Sequence, residues 1–132
     1  MGEACDRGRS LMGRRGEDAA LKYLQLKGLS FRERNWRYGH LEVDLIFEDS
    51  RYLRIVEVKT LSEKDGFDPS VSVTKRKAER LITAARHYAA VRRITKEVVF
   101  DVVTVTVCED GRMRIRYIPE AFWPMEGNWF TN

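Results

Sequence analysis

The spacing of apolar residues changes period several times along the chain, and each change marks an element. Residues 13–27 (GRRGEDAALKYLQLK) place Ala20, Leu21 and Leu24, with Ala19 and Tyr23, on one stripe of a helix. Gly28 is positioned to end that helix in a left-handed conformation. Phe31–Trp36 alternates weakly as a short strand, whereas Leu41, Val43, Leu45 and Phe47 alternate clearly with Glu42, Asp44 and Ile46. Asp49–Ser50 predicts a tight turn, and Tyr52–Thr60 (YLRIVEVKT) is apolar on both faces, as a central strand requires. Residues 61–72 read as a loop broken by Gly66 and Pro69, after which Ser72 or Thr74 can cap a second helix. Ala78, Leu81, Ile82, Ala85, Tyr88 and Ala89 recur at helical period and form its core-facing stripe. Glu97–Val107 is a long β run, Cys108–Gly111 a turn, and Arg112–Ile118 an edge strand alternating Met113, Ile115 and Tyr117 with arginines. The aromatic, proline-broken tail is expected to pack on the domain.

The predicted order is therefore α-β-β-β-α-β-β: an α/β fold with a mixed central sheet and flanking helices, since hairpin-like strands precede a single crossover helix. A chain of 132 residues, 43% hydrophobic and 33% charged, suits one folded domain spanning 1–132 with its core at about 13–120. No P-loop and no strand–GxGxxG–helix element is present, which leaves nucleotide-cofactor chemistry unsupported. No apolar run approaches the length of a membrane span, and the N-terminus lacks the apolar segment of a secretory signal. The two isolated cysteines, Cys5 and Cys108, form neither a disulfide framework nor a zinc pattern, so the expected location is cytoplasmic.

The net charge of +4 hides an uneven distribution. Residues 22–40 carry five basic side chains and one acidic, and residues 75–96 carry eight basic side chains against Glu79 alone. Between them, residues 41–70 hold eight acidic and four basic groups. Basic segments attract polyanions, of which nucleic-acid backbone is the commonest in a cytosol; solvation of helix faces and strand edges is the alternative for any one cluster.

Glu57 and Lys59 stand two apart on the central strand, and Glu42 and Asp44 repeat that spacing on the strand before it. A hairpin centred on Asp49–Ser50 would set Tyr52 against Phe47, Glu57 against Glu42 and Asp44 against Ile55. Three carboxylates and an ammonium would then share one patch. Carboxylates that close repel, and a hard divalent cation such as Mg²⁺ is the usual remedy, supplying an activated water and charge stabilisation for phosphodiester hydrolysis. A structural Glu/Lys ladder on a wet sheet face is the competing explanation. His40 and His87 read as ordinary residues, and Trp36, Trp123 and Trp129 as packing residues.

Taken together, Gly13-x-x-Gly16-Glu17-x-x-Ala20, Asn35-x-Arg37, Glu42-Val43-Asp44-Leu45-Ile46 and Val56-Glu57-Val58-Lys59-Thr60 resemble the YraN-like family of uncharacterised bacterial proteins. That family is similar in fold to Holliday-junction resolvases and type II restriction endonucleases, the PD-(D/E)xK nucleases. The resemblance implies a restriction-endonuclease-like fold and a Mg²⁺-dependent endonuclease acting on DNA, with Mn²⁺ as substitute and RNA left open. It implies Asp44 and Glu57 as metal ligands, Lys59 as the lysine that orients water, and Glu17 as a further carboxylate reaching the site. Glu42 would stand near the metal or serve a second ion. Lys75 would contact phosphate, and with Lys77 and Arg80 it forms the expected nucleic-acid contact. Two positions depart from the family pattern: Leu41 replaces a usual glycine and Leu61 a common arginine. Nucleases of this superfamily often dimerise, which makes a homodimer an expectation. A binding or accessory module that keeps the fold without cutting is the alternative function.

Overall fold

The computed structural model describes residues 11–65 and 73–122. In chain order these form α1 (Leu11–Leu26), β1 (Ser30–Tyr38), β2 (Leu41–Glu48), β3 (Tyr52–Ser62), a single 3₁₀ turn at Glu63–Asp65, α2 (Lys75–Val91), β4 (Glu97–Val107) and β5 (Met113–Phe122). The five strands make one sheet in the order β1-β2-β3-β4-β5. Only β3 and β4 run parallel, joined through α2; the other pairs are antiparallel, so the sheet is mixed as predicted.

Two cores lie on opposite faces of this sheet. Ala20 and Leu24 of α1 pack with Leu45, Phe47, Val56, Val103 and Val105. Ala78, Leu81, Ile82, Ala85 and Tyr88 of α2 pack with Ile46, Leu53, Ile55, Phe100 and Val102. Neighbouring residues such as Ile55 and Val56 enter different cores because successive strand side chains point to opposite faces. This double burial explains why the β3 sequence is apolar throughout.

The helix signals act where the sequence puts them. Gly28, at φ 99°, closes α1, with the Leu29 N–H donating to the Leu24 carbonyl. Thr74 caps α2, its hydroxyl accepting from the Lys77 N–H at 3.1 Å. Gly16 lets α1 approach β3 closely, since a Cβ there would collide with Thr60 Oγ1.

Some expectations need correction or lie outside the described residues. The β2–β3 register is shifted by two residues: Phe47 faces Arg54, Ile46 faces Ile55 and Leu45 faces Val56. The turn is centred one residue later, on Ser50–Arg51, because the Asp49 carboxylate accepts the Arg51 and Tyr52 N–H groups and so fixes Asp49 as the first turn residue. Glu57 therefore does not oppose Glu42, nor Asp44 Ile55. β3 also continues to Ser62 instead of yielding to a loop after Thr60, because it stays paired with β4 as far as Ser62–Val107. The last strand likewise runs on past Ile118, so residues 119–122 of the expected tail belong to β5, and Phe122 is buried against Phe100. Residues 66–72, the tail from Trp123 onward (Trp129 included) and Cys5 lie outside the described residues.

Candidate functional site

The ladder between β2 and β3 ends at Leu45–Val56, although both strands continue. Carrying the register one step further would set Asp44 against Glu57, so the two carboxylates meet in the fork where the strands part. Asp44 substitutes for the missing rung: its Oδ2 accepts the Val58 N–H at 2.8 Å. Burial pushes its carboxyl up to about 8, with the Glu57 charge as second cause; the Val58 N–H and, more weakly, Lys77 act in the opposite sense.

Glu57 is 7% exposed. Its Oε2 faces Lys77 Nζ at 3.4 Å, but its Oε1 is buried and has no hydrogen-bond partner. A buried carboxylate oxygen without a partner is costly, and natural proteins seldom leave one without a purpose. A second buried acid shows the contrast. Asp101 accepts from Arg54 Nη1 at 3.1 Å, from the Tyr117 hydroxyl at 2.7 Å and from the Glu120 N–H at 2.8 Å. Both Asp101 oxygens are thus engaged, and the cluster ties β3, β4 and β5 together. Glu57, by contrast, leaves one buried oxygen without a partner.

Glu17, on α1, is 6% exposed. Its Oε1 accepts from Asn35 Nδ2 at 3.2 Å and Arg34 Nη2 at 3.3 Å, and its charge is felt at Asp44. Asn35 adopts φ 52°, a conformation asparagine tolerates better than most residues. Asn35 and Arg34 thus hold Glu17 in place, a role that spacing alone did not give them; the sequence signals were the Asn35-x-Arg37 motif and an asparagine inside a predicted strand. Glu42 lies across from Arg37, with their charged atoms 3.9 Å apart.

A cleft of about 240 Å³ opens beside Asp44, lined also by His40, Glu42, Lys77, Arg80 and Leu81. The structure thus brings Asp44, Glu57, Glu42, Lys77 and Arg80 to one region, with Glu17 behind it. Lys59, half-buried, follows Glu57 by two residues on β3, alongside Thr104 of β4, and makes no ion pair among the described residues. Lys75 is exposed in the first turn of α2 and is not among the residues lining the cleft. Among the described residues, no three His, Cys, Asp or Glu side chains converge tightly enough to hold a metal by themselves. Asp44 and Glu57 form a pair of donors that would leave the remaining positions of a hard cation to other oxygen atoms.

These features define an α/β protein whose sheet opens into an acidic fork bordered by a basic helix. Comparison with known sequences identifies its family. Residues 16–105 match the model of the uncharacterised protein family UPF0102, to which the chain belongs. A UPF0102 protein of Bacteroides fragilis is 43% identical over 115 residues, covering 87% of this chain and 94% of that relative. One from Bacteroides thetaiotaomicron is 42% identical over 113 residues, covering 86% and 93%. A Porphyromonas gingivalis relative is 38% identical over 111 residues, covering 83% and 82%. Among the described residues, no helix is long and apolar enough to cross a membrane.

Proposed function

We propose that this protein is a metal-dependent nuclease hydrolysing phosphodiester bonds of DNA, with Asp44 and Glu57 as the metal ligands. The observation that carries this reading is the orphaned Glu57 Oε1 buried beside the Asp44 carboxyl. Two acids forced together have an unmet need for positive charge, and Lys77 meets part of it. A bound Mg²⁺ or Mn²⁺ would supply an activated water and offset charge developing on the phosphoryl oxygens.

The chain's own groups support the rest of the chemistry. Main-chain Val58 holds Asp44 Oδ2, fixing that carboxylate's orientation. Lys59, two residues beyond Glu57 and without an ion-pair partner among the described residues, is the ammonium available to orient a water or meet the developing negative charge. Arg80 on the cleft wall and Lys75 at the exposed start of α2 attract the phosphate backbone without reading sequence.

The test is incubation of the purified protein with labelled single-stranded, duplex and branched DNA in Mg²⁺ or Mn²⁺, alongside calorimetric titration of Mn²⁺. Cleavage should fall by more than about 100-fold in Asp44→Ala and Glu57→Gln, beyond the usual loss from removing a supporting group. Absence of both cleavage and metal binding overturns the proposal. DNA binding without cleavage, unchanged in both variants, would make the protein an accessory module instead.

A further inference from the structure

A stack of rings beside the cleft points to the form of nucleic acid that the site takes. Tyr38 ends β1, faces Leu41 across the β1–β2 turn, and is 41% exposed. Its ring stacks on His87 of α2 with centroids 3.9 Å apart and planes 21° from parallel. His87 lies against Trp36 at 5.6 Å, and Trp36 meets the fully buried Tyr88 edge-on at 5.2 Å. A large aromatic side chain exposed to this degree is therefore anchored through two further rings to the core.

The stack adjoins the cleft on two sides. His40 and Leu41, the residues that follow the Tyr38–Gly39 turn, line the cleft. On α2, Arg80 lines it as well, and His87 is seven residues further along the same side of the helix, about 10 Å at 1.5 Å per residue. The helix between and around these positions carries Arg76, Arg80 and Arg86, all exposed.

From this juxtaposition we propose that Tyr38, backed by His87 and Trp36, is a stacking platform for an unpaired base beside the cleft that holds Asp44. The substrate class is thus nucleic acid with a single-stranded stretch, not continuous duplex. Single-strand-binding surfaces combine cationic grooves with aromatic rings because every base has a π-face, whereas bases within a duplex are already stacked on one another. The Tyr38 ring is already immobilised by its neighbours, so a base landing on it incurs little loss of side-chain freedom.

This inference rests on the nuclease reading, and one set of measurements separates the two. Fluorescein-labelled single-stranded and blunt duplex DNA of equal length are titrated with the protein in EDTA at low salt. A second single strand carries 2-aminopurine, whose fluorescence drops on stacking. Tyr38→Ala should weaken single-strand binding by about 5- to 150-fold, abolish the 2-aminopurine quench and leave duplex binding unchanged. Tyr38→Phe should behave as wild type, and unchanged thermal melting of both variants confirms folding. Equal loss on both DNA forms, or no loss on either, overturns the platform while leaving the nuclease reading intact. No binding to either form overturns both.

Discussion

Asp44 bears the largest electrostatic strain among the groups of the candidate site, and this gives it a measurable signature. Its folded-state value near 8 lies far above the ordinary 3.8, so the folded chain retains a proton that the unfolded chain releases above about pH 4. More protons bound in the folded state means that stability falls as pH rises from about 4 to about 8. Asp44→Asn removes the titration but can still accept the Val58 N–H. In metal-free buffer its melting midpoint should therefore gain on wild type across that window, by about 3–5 °C for each kcal/mol of stability that the wild type loses, for a domain of this size. A difference that stays constant from pH 4 to 8 would contradict this account. Divalent-cation affinity should move the opposite way, rising with pH through about 8, because the ion competes with the same proton.

Among the elements, the closest approach is that of α1 to β3 at Gly16 and Thr60. Gly16→Ala should destabilise the fold by about 1–3 kcal/mol in urea denaturation, as overpacking does, even though alanine is the better helix former. Thr60→Ala in the same chain should recover part of that stability; strict additivity of the two substitutions would show that they do not touch. At this scale the sequence was largely legible. Both helices, all five strands, Gly28 as terminator and Thr74 as a cap follow from periodicity and local chemistry. The register of β2 on β3 did not, because it depends on which main-chain amides the Asp49 carboxylate accepts. Spacing placed Asp44 and Glu57 on one face even with the register wrong, since a slip of two residues preserves the face. The clasp of Arg34 and Asn35 on Glu17 was illegible for a different reason: it requires a left-handed residue within a strand.

Over the whole molecule, under the proposed nuclease function, the basic segment of residues 75–96 would attract a polyanion and the acidic fork would position it. Its cations are not equivalent. Lys77 is engaged by Glu57, whereas Lys75 and Arg80 make no ion pair among the described residues. Replacing Lys75 and Arg80 with alanine should flatten the plot of log affinity for duplex DNA against log salt by up to about 0.9 for each phosphate that is no longer neutralised. Lys77→Ala should change that slope less; an equal effect from all three would show that the Glu57 pair does not persist in solution.

Glu17 reaches the fork from the α1 layer and Lys77 from the α2 layer, while Asp44 responds to both. The spacing of these charges is therefore fixed by how thick the helix–sheet–helix sandwich is, not by the path of any loop. Swelling or thinning either packed layer moves one charge relative to the other two, so the fork acts as a gauge of the whole sandwich. A volume change deep in either core would reach the cleft through Asp44 and Lys77, which line it.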